Sequence, residues 1–218
     1  MGAKTWMLVY ADGDAGEILK SNPPLDRVAS AALARELFPG EKLVAIDDGD
    51  LSFTSQADDV IYIGCFSGLS IIAAREFGID HPSKLPGVYL DAACGRDLYL
   101  HAMHSAVDWF AYAHWKNGTL LRSLSLSPDS GILEDFGSRS PFEEPYWSGL
   151  HPVFNPVSDP EDGEDDYPFC FHPLELGEAA LLELFAYQLE GFVDSSQLEP
   201  ETIPLMGFKR TKPWWRLW

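Results

Sequence analysis

Apolar positions along this chain fall into short blocks. Residues 5–10 (TWMLVY) form a β-rich apolar run stopped by the turn-forming cluster Ala11-Asp12-Gly13-Asp14, which predicts a buried first strand. Residues 26–38 place Val28, Ala31, Ala32, Leu33, Leu37 and Phe38 close to helical spacing and end at Pro39-Gly40, which predicts a helix. Residues 42–46 predict a second strand, closed by Asp47-Asp48-Gly49-Asp50. Residues 60–74 are rich in β-branched and aromatic side chains, and Gly64 and Gly68 would each weaken a helix by about 1 kcal/mol. The whole block is therefore expected to be one bent or bulged strand. Residues 82–93 carry Leu85, Val88, Tyr89 and Ala92 at helical spacing before Gly95, and residues 98–104 follow as a strand.

That order, βαββαβ over residues 4–105, predicts an α+β fold with a ferredoxin-like core, an antiparallel sheet carrying its helices on one face. A hairpin over residues 108–127 extends it, because WFAYAHWK and TLLRSLSLS flank Asn117-Gly118, a strong two-residue turn signal. Pairing Lys116 with Thr119 sets Trp115 opposite Leu120, Ala113 opposite Arg122, Ala111 opposite Leu124 and Trp109 opposite Leu126. Residues 128–172 are rich in Pro, Gly, Ser and acids and predict an irregular wrap with an exposed acidic loop at 158–166. The apolar stripe Ala180, Leu181, Leu184, Phe185 and Leu189, ended by Gly191, predicts a C-terminal helix within 175–191. Residues 1–205 are expected to form a single domain and 206–218 a tail.

Charge changes this picture. The 218 residues carry 15 basic and 34 acidic side chains, a net charge of −19, which repels phosphate backbones and argues against direct nucleic-acid binding. The last thirteen residues contain Lys209, Arg210, Lys212 and Arg216 and no acid, so the remainder holds 11 basic against 34 acidic groups. Trp214, Trp215 and Trp218 make this tail aromatic as well as basic. It could pack on the acidic body, anchor a protein partner through Trp and Arg, or touch a membrane interface, and it is the chain's one expected route to membrane contact. Cys65, Cys94 and Cys170 form no C-x-x-C pair and suit a reducing cytoplasm, and no stretch approaches the roughly 18 apolar residues of a span.

Several strings taken together resemble an uncharacterised family of actinobacterial cytosolic proteins: MGAKTWMLVYADGD, LHAMHSAVDWFAYAHW, RSLSLSPDSGILEDFG, FEEPYW and FHPLELGEAAL. The resemblance runs over nearly all of residues 1 to 208. The family carries no assigned activity, so it implies a bacterial cytosolic protein and transfers no catalytic residue.

Candidate chemistry is sparse. His101, His104 and Asp108 offer imidazole and carboxylate groups for metal binding or proton transfer, with Glu134 a further carboxylate. Residues three apart on a strand point to opposite faces, however, so His101 and His104 converge only if the strand ends between them. The two acidic turns, Asp12 and Asp14, then Asp47, Asp48 and Asp50, follow strands that a helical crossover would make parallel, which would set hard-cation ligands on one rim. Asp-Gly is equally ordinary turn chemistry. No glycine-rich phosphate loop, G-x-S-x-G or H-E-x-x-H occurs, and no cofactor is implied. The expected function is a non-enzymatic interaction or regulatory protein that holds a protein partner through its acidic surface or its tail, through Lys209, Arg210, Lys212, Trp214, Trp215, Arg216 and Trp218. The alternative is a metal-dependent or acid-base hydrolase using His101, His104, Asp108 and Glu134.

Overall fold

The computed structural model describes residues 3–153, 168–191 and 194–211, and in it nine strands form one sheet. In chain order the elements are β1 (Lys4–Ala11), α1 (Ala15–Lys20), α2 (Arg27–Leu37), β2 (Lys42–Asp50), β3 (Val60–Phe66), β4 (Leu69–Ala73), α3 (Gly87–Ala92), β5 (Asp97–His104), β6 (Trp109–Lys116), β7 (Thr119–Ser127), β8 (Gly131–Gly137), α4 (Glu144–Trp147), α5 (Pro173–Phe185) and β9 (Pro204–Thr211). Across the sheet the order is β2-β9-β3-β4-β1-β5-β6-β7-β8, and every neighbouring pair is antiparallel.

An α+β fold built on a large antiparallel sheet is thus present, with residues 60–74 and the placement of the helices departing from the ferredoxin-like expectation. Residues 60–74 make two strands instead of one, because Gly68 takes a positive φ and lets Ser67-Gly68 turn the chain back, pairing Phe66 with Leu69. β1 then lies between β4 and β5, antiparallel to both. Helices cover both faces of the sheet, not one. Trp6, Leu8 and Tyr10 of β1 pack with Leu33, Ala34 and Leu37 of α2 and with Tyr89 and Ala92 of α3. Met7, Val9 and Ala11 point the other way, into Ala15 and Leu19 of α1 and Leu176, Ala180, Leu181 and Phe185 of α5. Burial on both faces explains why β1 is an unbroken apolar run without alternation.

Helix α2 starts where Asp26 accepts hydrogen bonds from the Val28 and Ala29 amides at 3.0 and 2.9 Å. Helix α5 stops at Ala186, in the left-handed conformation, and so ends before Gly191. Two elements lie inside the expected irregular wrap, namely strand β8 and the short α4. The acidic loop at 158–166 lies outside the described residues.

The hairpin at Asn117-Gly118 forms as expected at its tip, with both turn residues at positive φ and Trp115 opposite Leu120. Below the tip the pairing shifts by one. His114 faces Arg122 and Ala113 faces Ser123, because Leu121 is an extra residue in a bulge. The shift turns Arg122, Leu124 and Leu126 to the face of Tyr112, and Ser123 and Ser125 to the face of Trp109.

The largest departure concerns the chain's end. Residues 204–211, all but the first two expected to belong to the tail, form β9 and insert between β2 and β3. Phe208 pairs with Ala45 on one side and Ile61 on the other and is 6% exposed in the core under α2. Truncating it leaves a cavity under a strand that alone joins β2 to the sheet. Phe208→Ala is expected to cost about 3 kcal/mol in urea-induced unfolding; a loss below about 1 kcal/mol would show that β9 is not part of the cooperative unit.

Candidate functional site

Histidine 101 is fully buried on the α5 side of the sheet. Its Nε2 lies 2.9 Å from the Gly177 carbonyl, which can only accept, so Nε2 carries the proton and Nδ1 accepts from the Thr5 hydroxyl at 2.7 Å. Gly177 makes this approach possible, since an added Cβ there would press on Phe110 and Met103. Burial lowers the His101 pKa to about 4. Both ring nitrogens are engaged, and the ring is neutral.

The other three candidates have different neighbours. His104 projects to the opposite face, as the strand period requires, with its ring 5.6 Å from that of Trp6. Its pKa is lowered, first by burial and then by Lys4. Asp108 lies 3.6 Å from His172 Nε2. Glu134 accepts from the Ser83 amide at 2.9 Å, from the Ser83 hydroxyl at 2.6 Å and from the Ser123 hydroxyl. Burial would raise its pKa, but these serine bonds win and hold it low. Each of the four is thus engaged with its own neighbours, and among the described residues no hydrogen bond or ion pair joins any two of them.

The acidic turns behave differently. β1 and β2 do run the same way, but residues 47–50 continue β2 through a bulge instead of forming a turn after it, and the registers set Ile46 level with Met7, so Asp47 and Asp48 lie along the edge strand while Asp12 and Asp14 lie beyond the end of β1. Three strands separate the two sets, which puts them roughly 19 Å apart at about 4.8 Å per strand. One cation cannot bridge that gap. Among the described residues no group of three or more His, Cys, Asp or Glu side chains is placed to hold a metal ion. Asp14 caps α1 through the Glu17 amide at 2.9 Å, Asp50 accepts from the Ser52 amide at 3.0 Å, and Asp48 pairs with Arg27. Asp12 and Asp47 are exposed and make no ion pair among the described residues.

An open polar recess of about 220 Å³ lies beside Asp12, lined by Ala11, Cys94, Gly95, Arg96 and Asp97. Arg96 reaches Ala93 O, Ala92 O and Ser70 Oγ and stacks 5.0 Å from the Tyr10 ring centroid. Asp97 accepts from His114 Nε2 at 2.9 Å, and His114 stacks on Tyr99. Sequence spacing could not reveal this group, because it depends on the registers that join β1, β5 and β6.

Of the expected partner-binding residues, Lys209 and Arg210 lie within β9. Lys209 pairs with Asp59 at 3.3 Å, and Arg210 pairs with Glu41 at 3.1 Å and with Glu76 while lying over the Phe38 ring. Their charge is spent on the body. Lys212, Trp214, Trp215, Arg216 and Trp218 lie outside the described residues.

Sequence reasoning also missed a buried ionic cluster. Arg122, turned inward by the Leu121 bulge and only 2% exposed, donates from Nη2 and Nε to the Glu143 carboxylate at 2.7 and 3.0 Å, and also pairs with Asp135. Burial opposes the guanidinium charge, but Glu143 and Asp135 outweigh it and raise the pKa above its ordinary value. Glu143 is fully buried and accepts further from the Tyr112 hydroxyl, the Ser140 amide at 2.7 Å and Trp147 Nε1 at 3.4 Å. A carboxylate so surrounded holds the 140–147 segment to the sheet.

Removing one partner leaves the other charge buried and alone. Glu143→Ala is therefore expected to cost about 3 to 5 kcal/mol, while replacing both Arg122 and Glu143 by leucine should cost less than either single loss. Urea unfolding of the three variants checks this; a single substitution that is nearly neutral would refute it. A second test uses pH. Burial raises the Glu178 pKa from 4.5 to about 7, so the folded chain holds a proton that the unfolded one releases, and this contribution is lost as pH rises from 4.5 towards 7. His101 acts in the opposite sense: its folded-state pKa is depressed, so its contribution is present above 6.5 and is lost as pH falls towards 4. Glu178→Gln should steepen the rise in stability between pH 4.5 and 7, and unfolding midpoints that run parallel for variant and parent would contradict it.

A model described as a family of unknown function (DUF6928) matches residues 5–208. No curated protein and no solved structure matches the chain. Since the match takes in β1, Asp12 and Asp47, the buried Arg122–Glu143 pair and most of β9, the chain belongs to this family of unknown function.

Proposed function

We propose that the protein is a non-enzymatic interaction or regulatory protein that holds a protein partner on its acidic surface, with Lys212, Trp214, Trp215, Arg216 and Trp218 as a second contact. The observation that carries this reading is the set of exposed acids. Asp12 just beyond β1 and Asp47 within β2 are exposed and without counter-ions among the described residues, and Glu199 and Glu201 before β9 add two more exposed acids beside the end of β2. A surface of one sign attracts a basic partner and speeds its association.

The histidine and carboxylate candidates for hydrolysis receive no comparable support, since His101, His104, Asp108 and Glu134 are committed to different neighbours. A cytoplasmic setting accords with free thiols at Cys94 and Cys170, both exposed. Among the described residues no helix is long and apolar enough to cross a membrane.

Affinity capture with the intact chain, with Asp12→Lys combined with Asp47→Lys, and with a form lacking residues 212–218 tests the reading. The intact chain should retain a partner that the doubly substituted variant loses, and retention should fall as salt is raised, because exposed charges are screened beyond roughly 8 Å at physiological ionic strength. Equal retention by all three forms, or no retention by any, would refute it.

A further inference from the structure

The two outer edges of the sheet are finished in different ways. At the β8 edge the charged side chains turn inward, Glu134 onto Ser83 and Ser123 and Asp135 onto Arg122, and the exposed side chains include Ile132 and Phe136. At the β2 edge the charges stay outside. Lys42, Asp47 and Asp48 are exposed, Asp50 is half-buried, and Val44 stands exposed among them.

Among the described residues β2 pairs with β9 on one side and with nothing on the other. On either side of a bulge at Asp47-Asp48, the strand therefore presents outward N–H and C=O groups that no strand among the described residues receives. Charge selects among possible occupants. A second copy of the chain would bring the same net-negative strand together with its own charge of −19, and like charges facing each other across a strand pair are destabilising. An extended segment with lysine or arginine flanking apolar residues meets the opposite situation: a cation falls beside Asp47, and an apolar side chain can cover Val44. Asp48 is already paired with Arg27 of the chain itself, which leaves Asp47 as the carboxylate that receives it.

We propose that the open edge of β2 receives a basic, extended segment of a partner protein as a tenth strand. Main-chain hydrogen bonds to β2 supply the attachment, and Asp47 and Val44 supply the selection. This rests on the acidic-surface reading above and specifies how the partner is held.

The test uses the full chain and two labelled peptides, one alternating lysine with valine and one alternating glutamate with valine. The lysine peptide should bind and slow amide hydrogen exchange within residues 42–50, leaving β8 unchanged, and the glutamate peptide should not bind. Asp47→Lys should weaken binding roughly tenfold or more, with circular dichroism unchanged. Binding of the lysine peptide without slower exchange in β2 would overturn strand addition while leaving the acidic-surface reading intact. No binding at all would overturn both. Equal binding of the two peptides would remove charge selection and with it the proposal. The proposal also fails if the β2 amides of the free chain are already slow and become fast on deleting residues 212–218, or on dilution, for the edge would then belong to the chain itself or to a second copy.

Discussion

The insertion of β9 between β2 and β3 is the constraint on which the rest of the architecture depends. β2 and β3 follow one another in sequence yet run the same way, so they cannot pair as a hairpin, and the gap between them is filled by residues from the far end of the chain. Every backbone group on the inner side of β2 owes its partner to β9. The sheet therefore closes only when the C-terminal segment arrives, and contacts of such long sequence separation are paid for in chain entropy before they return hydrogen bonds and burial.

The placement of β9 also sorts the charges. Lys209 and Arg210 would be free cations on a tail, but inside the sheet they neutralise Asp59, Glu41 and Glu76 at the end where β9 finishes. Towards the end where β1 and β2 finish, Arg27 pairs with Asp48, while Asp12 beyond β1 and Asp47 within β2 stay exposed. In a molecule of net charge −19, compensation is thus uneven along the sheet.

Inside the sheet the polar groups are handled more strictly. Arg122 and Glu143 lose their hydration on burial, and the arrangement is tolerable because Tyr112, Ser140, Trp147 and Asp135 take up the remaining bonding capacity. The same reasoning covers His101, whose two nitrogens are both engaged between Thr5 and Gly177. Residue types that suggest catalysis in a list of letters serve here to join layers of the fold.

Local pattern was enough for the apolar run of β1, the Asp26-capped helix α2, the Asn117-Gly118 turn and the late helix α5, because each is decided by side-chain period, capping chemistry or backbone preference within a few residues. It was enough, too, to give β1 and β2 the same direction, but not to see that residues 47–50 continue β2 instead of turning after it. The one-residue bulge at Leu121 was not legible, and it alone reverses the faces of Arg122 through Leu126. Nor was the fate of residues 206–211, where a basic composition suggested a tail and pairing on both sides made a strand. The sequence by itself determined the elements with strong local signals and the excess of acid, whereas tertiary structure decided which strands meet, which charges are cancelled and which remain in water. The reason is that register and strand order are chosen by the total burial and hydrogen bonding of the assembled sheet, a sum that no single segment contains.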